Sequence, residues 1–132
     1  MGYERNHAII VSSCVDDDTF ALAHAAASNI FGARMVSQPV STIVNEQRSF
    51  LIGPDGSKEG WSDSAWGDRK RNEFVAWLES QRYKDGSSPL KWVEVQYGDE
   101  ELDTKIVRDS DAAKRDKESA TPSDAAPPTE GT

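Results

Sequence analysis

Cysteine is almost missing from this chain: Cys14 stands alone among 132 residues, so an internal disulfide is excluded and a reducing compartment is the natural setting. Histidine is nearly as sparse, and with only His7 and His24 a histidine-based metal site would have to borrow carboxylates. Long apolar runs are also lacking. Stretches such as Ala8 to Val11 fall far short of the roughly 20 residues that a membrane-spanning helix needs, so no membrane insertion is expected. The first residues hold neither a basic region nor an apolar stretch of signal-peptide length, and no signal peptide is expected. Bases are outnumbered, 15 Lys and Arg against 23 Asp and Glu, for a net charge of -8. Such a balance repels phosphate backbones and disfavours nucleic-acid binding unless Arg69, Lys70 and Arg71 form a local patch. No phosphate-loop spacing occurs: Gly53-Pro54-Asp55-Gly56 reads as a turn whose carboxylate would repel phosphate. No cofactor is expected.

What is present is a regular succession of periodic segments in a length that allows one domain and one core. Ala8-Ile9-Ile10-Val11 is a β-branched run suited to a central strand, predicted over 7–13. Beyond Asp16-Asp17-Asp18, apolar residues at Phe20, Ala23, Ala27, Ile30 and Phe31 have helical spacing, and Gly32 supplies the stop. Residues 35–44 have β-type composition, but Pro39 cannot donate to a ladder, so the spacing predicts an edge strand over 40–44. A turn at 45–47 leads to a buried strand over 48–53, which ends at the Pro54-Asp55-Gly56-Ser57 turn. A loop over 58–67 carries Trp61 and Trp66, and a second helix is expected to start near Ser64 or Asp68. Its stripe is Phe74, Trp77 and Leu78, with Arg69, Lys70, Arg71, Glu73 and Glu79 turned to water. Over 90–97, Val93, Val95 and Tyr97 alternate with Trp92, Glu94 and Gln96, as in a half-buried strand.

The order βαββαβ predicts an α+β fold, a two-layer sandwich of ferredoxin-like type with an antiparallel four-stranded sheet and the first and third strands central. That domain takes residues 1–98 and a charge of -3; residues 99–132 form a polar acidic tail of charge -5 without aromatics. Such a tail buries too little apolar area to offset its ordering entropy, so it is expected to be largely disordered, with Leu102, Ile106 and Val107 as its only means of docking back.

Candidate sites compete with ordinary explanations. Asp16, Asp17 and Asp18, alone or joined by Asp63 or Asp68, are candidate ligands for a divalent cation, though carboxylates ahead of a helix also cap it and favour its dipole. His24, on the apolar side of the first helix, has the placement of a packed, hydrogen-bonded residue, and Cys14, followed by three aspartates that disfavour a thiolate, reads as structural. Trp61 and Trp66, with Asp63 between them, are the candidate partner-binding residues, since indoles in a polar loop serve either as lids over the core or as anchors for a partner.

The segments Ser49-Phe50-Leu51-Ile52-Gly53-Pro54-Asp55-Gly56-Ser57-Lys58-Glu59-Gly60-Trp61 and Trp92-Val93-Glu94-Val95-Gln96-Tyr97-Gly98-Asp99 resemble small uncharacterised proteins encoded by bacteriophages and prophages. The resemblance implies a bacterial cytoplasm during infection or lysogeny and an accessory role. It brings no catalytic residues. The residues together lead to the expectation of a non-enzymatic, cytoplasmic protein-interaction module that engages a protein, or a second copy of itself through an edge strand. The alternative is a metal-dependent hydrolase or nucleotide-processing enzyme built on the Asp16–Asp18 cluster. A third reading, an acidic mimic of nucleic acid, is weakened by the mild charge of residues 1–98.

Overall fold

The computed structural model describes residues 5–13, 17–44, 47–58, 60–98 and 104–111. The elements run β1 (Arg5–Ser13), α1 (Asp17–Phe31), β2 (Val40–Ser41), β3 (Arg48–Ile52), α2 (Ser62–Ser80), β4 (Leu90–Gly98) and β5 (Lys105–Asp109). The chain is thus α+β, with two helices against a five-stranded antiparallel sheet in the order β2-β3-β1-β4-β5. The β-branched run predicted to be central is central: β1 pairs Ile9 with Ile52 on one side and with Glu94 on the other.

Register decides which residues meet the helices. Ile9 and Val11 of β1, Phe50 and Ile52 of β3, and Leu90 and Trp92 of β4 share one face and pack with Phe20, Ala23, Ala27 and Phe31 of α1 and Phe74, Val75 and Leu78 of α2. Small residues at 23 and 27 let α1 lie close on the sheet, where Phe20 meets Phe50 edge-on at 5.5 Å. Phe31 and Phe74 join the two helices at 6.0 Å.

Several boundaries differ from those the sequence suggests. The β2 strand spans two residues rather than five, because the Thr42 hydroxyl donates to the Val44 carbonyl and accepts the Gln47 amide, folding the chain into a turn. Beyond the Pro39 interruption, Val36 still bridges Ile52. The α2 helix starts at Ser62 with Trp61 at its N-cap, so Ser64, Gly67 and Asp68 lie inside it. The expected four-stranded sheet gains a fifth strand, and the tail therefore does not begin at residue 99 as a wholly detached segment. Of the apolar residues expected to dock it, Ile106 and Val107 remain exposed and Leu102 lies outside the described residues. Ladder bonds to β4, the Lys91–Asp111 ion pair at 2.7 Å and an Arg82 hydrogen bond to the Ser110 carbonyl at 3.0 Å dock it instead. The disorder expected of the remaining tail falls on 112–132, outside the described residues.

The alternation in β4 has an unexpected sense. Glu94 and Gln96 lie buried under the helices beside Trp92, while Val93, Val95 and Tyr97 look out from the opposite face of the sheet. Ile10 and Leu51 look out with them, each 41% exposed.

Candidate functional site

The inward turn of β4 places one carboxylate in the core. Glu94 is 2% exposed, and a buried carboxylate persists only where cations and donors surround it. Arg108 of β5 donates through Nε to Oε1 at 2.5 Å, His7 Nδ1 of β1 lies 3.1 Å from Oε2, and Arg71 Nε of α2 lies 3.9 Å from the same oxygen. Arg71 is itself 4% exposed, and its other nitrogens donate to Asp68 at 2.7 Å and to Asp55 at 3.3 Å. The sequence-based placement of Arg71 on the solvent side of the helix is therefore corrected. The buried side of α2 runs 64, 67, 71, 74, 75, 78, and a cation is accommodated at 71 because the part-buried Asp55 and buried Glu94 carboxylates face it while the exposed Asp68 of the same helix pairs with its outer edge. With Arg71 drawn inward, a surface patch of Arg69, Lys70 and Arg71 does not form.

The network reaches the loop between β3 and α2 through Asp55. Its Oδ1 accepts the Ser57 amide at 2.8 Å and the Ser57 hydroxyl at 2.5 Å, a local turn completed by Gly56 at φ +82°. Its Oδ2 faces Arg71 across the backbone of Gly67, where a Cβ would stand 1.8 Å from that oxygen. Glycine inside a helix ordinarily weakens it; here it admits the carboxylate.

Burial by itself would raise the Glu94 carboxyl, but the hydrogen bonds from His7 and Arg108 and the Arg108 charge outweigh it and hold the group below its ordinary value. Asp55 behaves alike: burial raises it, while the Ser57 hydroxyl and amide and the Arg71 charge bring it down. Both folded-state values lie below the unfolded ones, so the stability these groups supply is complete above the unfolded values and is lost as pH falls through the folded ones. Thermal midpoints recorded from neutral to acid pH are expected to stay level down to about pH 5 and then to drop. The drop should be shallower in Glu94→Gln.

The indoles stand where the loop from β3 enters α2. Trp61 precedes α2 with extended backbone angles, and its carbonyl accepts the Ser64 amide at 3.1 Å. Its side chain is 48% exposed. Trp66 is half-buried, with Lys70 Nζ 5.9 Å from its ring centre, and Asp63 is exposed in the first turn, where its charge suits the helix dipole. The three expected partner-binding residues thus lie at the N-cap and in the opening turns of α2. The Glu94 network behind them was missed, although Glu94 in an alternating strand and Arg71 at helical spacing from Phe74 and Leu78 were its visible traces.

Other candidates take ordinary places. His24 Nε2 is 2.9 Å from the Ser37 carbonyl and its ring meets Phe50 edge-on at 5.0 Å, as a packed histidine at the sheet edge would. Asp17 and Asp18 open α1, whereas Cys14 and Asp16 lie outside the described residues. Among the described residues no three His, Cys, Asp or Glu are grouped to hold a metal ion, and no helix is long and apolar enough to cross a membrane. Comparison with protein-family models, curated proteins and solved structures finds no match to the chain.

Proposed function

We propose that this chain is a small non-enzymatic protein-interaction module with a ferredoxin-like βαββαβ core, acting in a bacterial cytoplasm as a phage accessory protein on a host protein. The strand order β2-β3-β1-β4, with a helix in each crossover, supports the ferredoxin-like assignment, and β5 is an addition at its edge. The phage setting rests on the resemblance of 49–61 and 92–99. The observation that carries the interaction reading is the half-exposed Trp61 at the N-cap of α2, its backbone bonded to Lys58 and Ser64. An exposed indole on a mobile loop loses entropy when it binds. One whose backbone is bonded into the start of a helix has already lost part of it, and tryptophan is enriched among residues that dominate interface energies.

The test is an affinity pull-down from bacterial lysate with tagged full-length chain, a truncation after Asp111, and the Trp61→Ala and Trp66→Ala variants, read by mass spectrometry. A stoichiometric partner is expected on the full-length chain and on the truncation. Trp61→Ala should weaken its capture by about 30-fold, the effect of losing one hot-spot residue. Capture unchanged in both tryptophan variants would remove the corner from the interface, and an empty full-length lane would remove the reading itself.

A further inference from the structure

An antiparallel sheet with one open face ordinarily turns polar residues outward, and this one does the reverse over its middle strands. In register across the open face stand Leu51, Ile10, Val93 and, on β5, Asp109 in one row, then Ala8, Val95 and Ile106 in the next. Ile10, Leu51 and Tyr97 are 41 to 42% exposed and Ile106 is 63% exposed. Charge enters at the β5 margin, with Asp109 at the end of the first row and Lys91 paired with Asp111 beside it. Beside the rows, between β4 and β5, lies a groove of about 320 Å3 lined by Ile10, Ser12, Lys91, Val93, Ile106 and Asp109.

We infer that a second copy of this chain covers that face, sheet against sheet, about a two-fold axis running along the strands between β1 and β4. The operation lays Ile10 of each copy over Val93 of the other and Ala8 over Val95, matching the small side chain of one row to the larger one opposite. It also carries β3 over the β5 side, so that the projecting Leu51 of one copy comes to the groove of the other. Such an interface is isologous, as closed dimers require, and no like charges oppose one another at its centre. The chain's own tail cannot substitute, because residues 112–132 contain no Val, Ile, Leu, Met or aromatic side chain. Four strands spaced about 4.8 Å apart and six residues long present roughly 19 by 20 Å. Two such faces present about 760 Å2 in projection, and their corrugation raises the area removed from water toward the roughly 1,000 Å2 at which specific interfaces begin. The Trp61 corner belongs to other elements, so the two proposals stand or fall separately.

Sedimentation velocity on the full-length chain from about 1 to about 300 µM tests this, because a dimer of this kind must follow mass action. A concentration-dependent dimer is expected. Ile10→Asp and Val93→Lys alone should each weaken it at least tenfold, and far-UV circular dichroism should show both folded. An equimolar mixture of the two variants should dimerise again, since the axis places the new carboxylate of one chain against the new ammonium of the other. Ile106→Asp, at an exposed margin, is the second disrupting variant if Ile10→Asp fails to fold. A monomer at every concentration overturns the inference. So does a dimer indifferent to these changes, or a mixture that stays monomeric while the wild type dimerises; unimpaired dimerisation of Trp61→Ala is expected.

Discussion

Glu94→Ala is expected to lower unfolding free energy by about 3 kcal/mol, the loss typical of removing one member of a buried ionic group. The magnitude comes less from the missing attraction than from what stays behind. Arg71, 4% exposed, loses the carboxylate beneath it and keeps only Asp55 and Asp68, while Arg108, partly exposed, turns to water. Urea denaturation measures the difference, and amide exchange over 105–109 should accelerate first, since Arg108 ties β5 to the core side of the sheet. A companion measurement separates cause from size. If the loss is that of an unpaired ion, the double replacement Glu94→Leu with Arg71→Met will cost less than the sum of its single changes. Strict additivity would show that the two residues do not act as one unit.

Gly67→Ala should cost about 2 kcal/mol, although alanine at an ordinary helix position would gain up to about 1 kcal/mol over glycine. The new methyl group would be built 1.8 Å from Asp55 Oδ2 and 3.0 Å from its Cγ. The carboxylate must swing away, giving up Arg71 and the Ser57 turn together, and leaving a buried cation less well neutralised. In an Asp55→Ala background the obstacle is gone, and Gly67→Ala should then be neutral or slightly stabilising. Chemical denaturation of the four proteins closes the cycle; a Gly67→Ala cost that persists without Asp55 would place its origin in another contact.

These two residues also show where the sequence stopped being informative. The order of elements was legible because strand and helix periods differ, and because Gly32, Pro39 and the 54–57 turn punctuate them. The central place of β1 followed from an unbroken β-branched run. Alternation in β4, however, identifies two faces without saying which is inside, and hydropathy alone would bury Val93, Val95 and Tyr97. Pairing with β1 decided otherwise, since Glu94 lies opposite Ile9, whose side chain is wholly within the core. Arg71 escaped notice because a charged residue at a stripe position reads as solvent-facing unless its partners, 16 and 23 positions away, are already known. The start of α2 at Ser62 was obscured by serines at 62 and 64 and an aspartate at 68, all acceptable caps, none of which serves as the cap. The fifth strand was hidden by its composition, since ion pairs and ladder bonds hold it where apolar burial would have announced it. The indole corner was visible as residue types, but not that α2 begins directly after Trp61.

The central position of β1 bears on how the chain is made. Its partners are encoded far downstream: His7 meets Glu94 across 87 positions of sequence. At about 5 to 20 residues added per second, β1 waits roughly 4 to 17 s after its synthesis before β4 exists. Throughout that interval its Ile9-Ile10-Val11 edge toward β4 has no native neighbour, with β3 arriving only midway. A nascent chain stalled before residue 90 therefore exposes a β-branched edge to whatever lies near the ribosome.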